Sequence, residues 1–336
     1  METLLRWTIA ARPNARELVA EDFEIDRNPP LGTLQDDDLR VAVLMLSCDP
    51  AQKGWMENVA GYAEPTEIGQ TMPALGVGRV IESRSAGFAP GDLVQGLLGW
   101  ADEMIVRASA MRKVRDEPDA PRLALGLLGS SGLTAYFGLT RIGVPQAGDV
   151  LVVTGAAGGV GSIVGQLGKI AGCRVIGIAG GPDKCRWLTE ELGFDHAIDY
   201  KAEKVKARVR ELAPEGIDVL WDNVGGQMLD DLLARIARKA RVVICGGIAR
   251  YQQQGRPPGP GSYFNIVFKS ARMEGFLLGD FAEDHDIGRD RLRRWLAEGR
   301  IVQRDEVVDG LENAPQTLMR LFRGLNRGKL LIRVAE

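Results

Sequence analysis

Cysteine and histidine are scarce in this chain: four Cys and two His among 336 residues. Cys48, Cys173, Cys185 and Cys245 stand far apart and never form a C-x-x-C pair, which argues against a disulfide framework and a structural zinc site. Residues 1–122 hold no His and only Cys48, so a catalytic zinc there lacks its usual ligands. His196 and His285 lie elsewhere, near a strand start and in an acidic helical stretch, where packing or solvent contact is the ordinary role. Also missing is an uninterrupted apolar run of about 18 residues. The N-terminus, Met1-Glu-Thr-Leu-Leu-Arg-Trp7, has no basic region followed by a long apolar one. No membrane association and a cytoplasmic location are therefore expected. Charge of one sign is absent too. Forty-two basic against 45 acidic residues leave a net charge of −3, so no global field draws nucleic acid or an anionic membrane.

What is present reads as a globular protein of two domains. Hydrophobic residues make up 45% and charged residues 26%, and 42 glycines promise many tight turns. Residues 1–122 are rich in strands and turns: Leu39–Ser47 partly alternates, Gly76–Ile81 is a strand interrupted by Gly, and another strand begins after Gly91. Near Pro121 helical spacing takes over, in Ala124–Leu128 and then Leu133–Leu139, with Ser130 or Ser131 as the cap of the second helix. Beyond Gly148 strand and helix runs alternate, which is the mark of parallel βαβ units. The strands expected are Val150–Thr154, Arg174–Ile178, His196–Ile198, Asp218–Trp221, Arg241–Cys245 and Arg272–Leu277. Helical spacing lies between them at Gly158–Ala171, Pro182–Gly193, Ala202–Ala213 and Gly226–Arg238. After a charged helix ending near Glu298 come a strand at Ile301–Glu306, a helix from about Asn313 and a final strand, Lys329–Val334, which is assigned back to the first domain.

The run Val150-Leu-Val-Val-Thr-Gly-Ala-Ala-Gly-Gly-Val-Gly-Ser162 joins a buried strand to a helix through a glycine turn. Gly155 starts the turn, and Gly158, Gly159 and Gly161 let backbone N–H groups approach a pyrophosphate at the helix N-terminus. A strand-turn-helix without a ligand is the alternative. About 20 residues further on, where an acid would hold an unphosphorylated ribose, stands Ala179-Gly180-Gly181. Lys184 in the next helix could pair with a 2′-phosphate and the Tyr200 hydroxyl could hydrogen-bond to it. Otherwise they are a surface Lys and a half-buried Tyr. Asn223 ends the fourth strand and could either face a nicotinamide ribose or carboxamide or cap the helix after Gly225.

Further motifs surround these: Leu46-Ser-Cys-Asp-Pro50, Ile68-Gly69, Gly76-Val-Gly-Arg-Val80, Gly132-Leu-Thr-Ala-Tyr136, Phe194 to Tyr200, Asp222-Asn-Val-Gly-Gly226, Cys245-Gly-Gly-Ile248, Met273-Glu-Gly-Phe276 and Leu325-Asn-Arg-Gly-Lys329. In this order, over essentially the whole chain, the pattern resembles the zinc-independent branch of the medium-chain dehydrogenases/reductases that holds prostaglandin, curcumin and plant double-bond reductases. The resemblance implies a doubly wound parallel Rossmann sheet, residues 123–299, inserted in a β-rich GroES-like substrate domain made of residues 1–122 and 300–336. It implies NADPH as cofactor, no metal, and a homodimer. Cofactor contacts carried over are Ala157, Gly158, Gly159, Val160, Gly161, Gly180, Lys184, Tyr200, Asn223, Cys245, Gly246, Gly247, Ile248, Tyr251, Phe276, Leu277, Leu278 and Asn326. Phe276 to Leu278 would supply backbone groups near the nicotinamide, and Asn326 would reach back from the outer domain.

The implied reaction is hydride transfer from NADPH to the β-carbon of an α,β-unsaturated ketone or aldehyde, then protonation of the enolate at the α-carbon. Tyr251 matches the proton donor or oxyanion anchor of the relatives, since a Tyr hydroxyl with an ordinary pKa of about 10 is protonated at neutral pH. A loop Tyr packed on the apolar rim is the alternative. Its context departs from the family's, with Ala249 and Gln252, and Asp49-Pro-Ala-Gln-Lys53 lacks a Tyr and an Arg used by some members. Tyr62 matches a substrate-contacting Tyr. Two other readings are a quinone reductase and an NADPH-binding interaction protein without turnover.

Overall fold

The computed structural model describes residues 4–57, 65–251 and 258–335. The chain divides into two compact units, Met1–Leu125 with Asp305–Glu336, and Gly126–Arg304.

In the first unit β1 (Leu5–Ile9) and β2 (Phe23–Arg27) form an antiparallel pair. The long strand β3 (Asp38–Cys48) follows, then helix α1 (Ala51–Met56), β4 (Pro73–Ser83), β5 (Leu93–Gly99), β6 (Glu103–Arg107), β7 (Arg112–Lys113) and helix α2 (Ala120–Leu125). Leu39, Val41, Val43, Val80, Val94 and Leu98 meet in one core, as period-2 alternation on antiparallel strands requires.

The second unit opens with α3 (Ser130–Phe137), whose N-cap is Gly129 and which no side chain caps; neither Ser130 nor Ser131 plays the expected role. The alternation then runs β8 (Val150–Thr154), α4 (Gly161–Ile170), β9 (Arg174–Ala179), α5 (Pro182–Glu190), β10 (His196–Asp199), α6 (Val205–Leu212), β11 (Ile217–Asp222), α7 (Gly226–Leu233), β12 (Ile236–Ile244), the short α8 (Asn265–Phe268), β13 (Arg272–Gly275) and α9 (His285–Ala297). The six strands lie in the order β10-β9-β8-β11-β12-β13. Every pairing is parallel. Central strand β8 is buried along its whole length, which explains its unbroken apolar run.

Several boundaries differ from the sequence-based expectation. Residues 236–238 belong to β12, not to the preceding helix. Leu229, Leu232, Leu233 and Ile236 follow the helical spacing i, i+3, i+4, i+7, yet Ile236 is buried as the strand partner of Ile217. Strand β13 stops at Gly275, short of Leu277, and β12 stops at Ile244, short of Cys245. The strand expected at 301–306 starts only at Asp305. Val302 instead donates its N–H to Gln166 Oε1 at 2.8 Å and accepts from Gln166 Nε2 at 3.1 Å, so a buried side-chain amide on α4 does the work of a neighbouring strand.

The chain then returns to the first unit with β14 (Asp305–Asp309), α10 (Ala314–Phe322) and β15 (Lys329–Arg333). That sheet is ordered β14-β15-β3-β4-β5-β7, with β6 also paired to β3. β15 runs antiparallel to β3, and the ammonium of Lys329 binds the carboxylate of Asp49 just beyond the end of β3.

Candidate functional site

In the second unit the strand order reverses between β8 and β11, and a parallel sheet binds ligands in the crevice outside the carboxyl ends at such a reversal. The glycine turn stands there. Gly155 has φ +59°, and a Cβ on Gly161 would lie 2.4 Å from the Gly155 carbonyl oxygen, so both positions demand glycine. Gly158 departs in part from its expected role, because its N–H donates to Gly155 O at 3.0 Å within the turn. In the first turn of α4 the N–H groups of Ser162 and Ile163 donate to Gly158 O and Val160 O at 3.1 Å each and that of Val164 to Val160 O at 3.0 Å, so the anion-binding donors are those just ahead of them, at Gly159, Val160 and Gly161. An approach this close, at the N-terminus of a ten-residue helix, fits a pyrophosphate.

At the ends of β9 and β10, Gly180 lies beneath Tyr200. The ring and hydroxyl of Tyr200 stand 2.9 Å from where a Gly180 Cβ would be, and Tyr200 is 47% exposed. Lys184 is the third residue of α5 and half-buried. Sequence reasoning missed two members of this corner. Asp199 Oδ1 accepts from the N–H of Gly181 at 2.8 Å and of Lys201 at 3.0 Å, and the Lys201 side chain passes within 3.0 Å of the same Gly180 position. Asp199 is therefore committed to shaping the loop.

The strand ends of β8 and β11 are cross-linked by polar groups. Asp222 is fully buried; its Oδ1 accepts from the Thr154 hydroxyl at 2.7 Å and Val224 N–H at 3.2 Å, and its Oδ2 accepts from Gly225 N–H at 2.9 Å. Burial pushes this carboxyl above the usual range, and the three donors act against that shift. Thr154 Oγ1 also accepts from Asn223 N–H at 2.9 Å. Asn223 does not cap α7: its Nδ2 donates to Thr154 O at 2.7 Å and its Oδ1 accepts from the Trp221 indole at 3.1 Å, while Asp222 receives the turn's N–H groups. Thr154, Trp221 and Asp222 also escaped the sequence reading, although polar residues ending two central strands were the available signal.

After β12, the N–H groups of Cys245 and Gly246 both donate to Asp222 O, at 2.9 and 3.1 Å, and Ile248 N–H donates to Asn223 O at 3.2 Å. These donors serve the protein. Gly246 is kept bare by Asn223, whose carbonyl oxygen lies 3.2 Å from a Gly246 Cβ position, and a Gly247 Cβ would meet Arg250 Cδ at 3.1 Å. Tyr251 follows a single 3-10 turn, Ile248–Arg250, and is half-buried. Phe276 packs edge-on against Trp221 with centroids 6.1 Å apart. The backbone of Leu277 and Leu278 is less available than expected: Leu277 N–H donates to Asp280 Oδ2 at 2.9 Å, and Leu278 O bonds His285 Nε2 at 3.1 Å. Asn326 belongs to the first unit, where its buried Nδ2 donates to Gly328 O at 3.0 Å. Tyr62 lies outside the described residues.

All four thiols are raised by burial: Cys173 and Cys185 to about 11, Cys245 to about 12 with a further push from Asp222, and Cys48 further still. None of them is a thiolate nucleophile at neutral pH. Among the described residues no group of three or more His, Cys, Asp or Glu side chains could hold a metal ion, and no helix is long and apolar enough to cross a membrane.

Two family models match: "N-terminal domain of oxidoreductase" over residues 5–114 and "Zinc-binding dehydrogenase" over residues 159–292. The chain is 39% identical to the NADPH-dependent curcumin reductase of Escherichia coli K12, covering 98% of this chain and 96% of that one. It is 33% identical to the NADP(+)-dependent 2-alkenal reductase of Nicotiana tabacum, over 100% and 97%. Among solved structures, CurA of Vibrio vulnificus in complex with NADPH superposes with a TM-score of 0.93 at 36% identity, covering 99% of each chain. With a parallel sheet in one unit, a β-rich fold in the other and this similarity along its whole length, the chain belongs to the medium-chain dehydrogenase/reductase superfamily, in the branch that holds the curcumin, 2-alkenal and prostaglandin reductases.

Proposed function

We propose that this protein reduces the carbon–carbon double bond of α,β-unsaturated ketones and aldehydes, using NADPH. The observation that carries the reading is the similarity, end to end, to reductases of such bonds. It is an NADP-dependent oxidoreductase acting on C=C bonds.

NADPH, when bound, supplies the hydride that adds to the β-carbon. The chain's residues bind and orient. The first turn of α4, with Ala157, Gly159, Val160 and Gly161 around the close approach at Gly155, holds the pyrophosphate. Lys184 and Tyr200, beside Gly180, hold the 2′-phosphate, and Asn223 holds the nicotinamide half at the end of β11. Asn326 is a further cofactor contact. The Tyr251 hydroxyl donates toward the carbonyl oxygen on which charge develops, or supplies the proton at the α-carbon. Tyr62 binds substrate.

The test is NADPH oxidation over enones and enals of graded chain length, with a simple quinone alongside and identification of the saturated product. A saturated ketone or aldehyde supports the reading; turnover of the quinone alone overturns it.

A homodimer is part of this proposal. Strand β13 is an open edge with all four residues exposed, and beside it Tyr263, Phe264, Val267 and Phe268 are each more than half exposed. An unpaired edge flanked by apolar side chains suits a second copy of the same edge about a two-fold axis. Light scattering should give twice the chain mass, reduced to the monomer in Phe268→Glu. Four unbridged thiols suit a reducing cytoplasm.

A further inference from the structure

Trp221 stands two residues before Asn223, and its fully buried indole determines how that amide sits. The indole N–H donates to Asn223 Oδ1 at 3.1 Å, and Asn223 Nδ2 donates to Thr154 O at 2.7 Å. A flipped amide would set N–H against N–H and oxygen against oxygen, so the two partners dictate which end is which. An Asn side chain has two N–H donors and two acceptor lone pairs. These bonds consume one of each and leave one N–H and one lone pair for a ligand at the strand ends.

The indole is itself immobilised. Phe276 lies edge-on against it, and a Cβ on Gly138 would approach Trp221 Cη2 and Phe276 Cζ to 2.5 Å each, so the ring has no room to slide. Below the amide, Thr154 is held in turn by Asp222. The amide is thus gripped from both sides by groups that the sheet already fixes.

We propose that Trp221 is a positioning residue for the reduction: its indole N–H locks the Asn223 amide in the orientation that receives the nicotinamide half of NADPH. This rests on the reading that Asn223 touches the cofactor. Trp221→Phe would fill most of the same volume and leave the amide held on one side only, by Thr154 O, so the loss should show in cofactor binding and turnover more than in folding.

The experiment is a double-mutant cycle on the full chain with Trp221→Phe, Asn223→Ala and both together, reading NADPH Kd by titration and kcat with an enone. One neutral hydrogen bond predicts an NADPH Kd about three- to tenfold higher in Trp221→Phe, and no further effect of that change in the Asn223→Ala background. A Trp221→Phe penalty that persists at full size in that background overturns the proposal alone, as does a Trp221→Phe enzyme with wild-type Kd and kcat. Wild-type Kd and kcat in Asn223→Ala overturn the cofactor role of Asn223, and this proposal with it. Should Trp221→Phe fail to fold, indole ¹⁵N–H spectra of the wild type and Asn223→Ala decide. One indole resonance should move on adding NADPH, and the same resonance should move in ligand-free Asn223→Ala; no movement in either overturns the proposal.

Discussion

The Thr154 hydroxyl donates to the Asp222 carboxylate at 2.7 Å, joining two adjacent strand ends that are 68 residues apart in the chain. The same hydroxyl accepts from Asn223 N–H, so one small side chain on β8 binds two consecutive residues at the end of β11. Thr154→Val keeps the shape and removes the oxygen, taking one of three donors from the buried Asp222 carboxylate and the acceptor from Asn223 N–H. It should cost about 1–3 kcal/mol in urea unfolding, whereas Thr154→Ser, which keeps the hydroxyl, should cost clearly less. Equal losses in the two variants would show that packing, and not the hydrogen bonds, matters here.

Lys184 stands in the first turn of α5, beside the corner formed by Gly180 and Tyr200. A charge-assisted contact to a 2′-phosphate predicts that Lys184→Ala weakens NADPH about ten- to hundredfold and leaves NADH almost unchanged. Titration of both cofactors is the measurement, and similar losses for the two would refute the assignment.

The thiols contribute to the loss of stability at alkaline pH. Their folded pKa values, about 11 for Cys173 and Cys185 and about 12 for Cys245, lie above the ordinary value of 9.0. The unfolded chain releases these protons first, so the stability they contribute is fully present below pH 9.0 and is lost as pH rises toward the folded values. Cys245 should steepen the decline by up to about 1.4 kcal/mol per pH unit in that window. Urea unfolding at several pH values above 9.0 should show the slope relax in Cys245→Ser. Iodoacetamide at a pH of about 8 should alkylate the native protein far more slowly than the urea-unfolded chain.

Gln166 supports the segment after α9 by binding both the N–H and the carbonyl of Val302. Gln166→Ala leaves those two groups without their partner and should destabilise the protein by about 1–3 kcal/mol. Hydrogen exchange at Val302 should accelerate with it; unchanged protection there would mean that other contacts hold the segment.

Much of the fold was legible because periodicity is local. The five buried residues of β8 and the glycine turn after them can be recognised from neighbours within a dozen positions. Local pattern misleads where two structures share a period, as at Ile236, which continues the apolar stripe of α7 but is paired with Ile217. It is silent where a distant side chain substitutes for a strand, as Gln166 does for Val302.

The candidate site divides along the same line. The residue sequence by itself determined the class: a glycine-rich turn between strand and helix, no acid where the second strand ends at Ala179-Gly180-Gly181, no His and a single Cys in the first 122 residues, and a family pattern running the length of the chain. Only the tertiary structure decided which polar groups are spent and which remain. It turned Asn223 from a possible helix cap into an amide held by Trp221 and Thr154, gave the turn's N–H groups to Asp222, and committed Asp199 to the loop under Tyr200. The reason is physical. Backbone geometry and burial periodicity are set by near neighbours, whereas a hydrogen bond between strand ends 68 residues apart exists only once the sheet has brought its two partners to 2.7 Å.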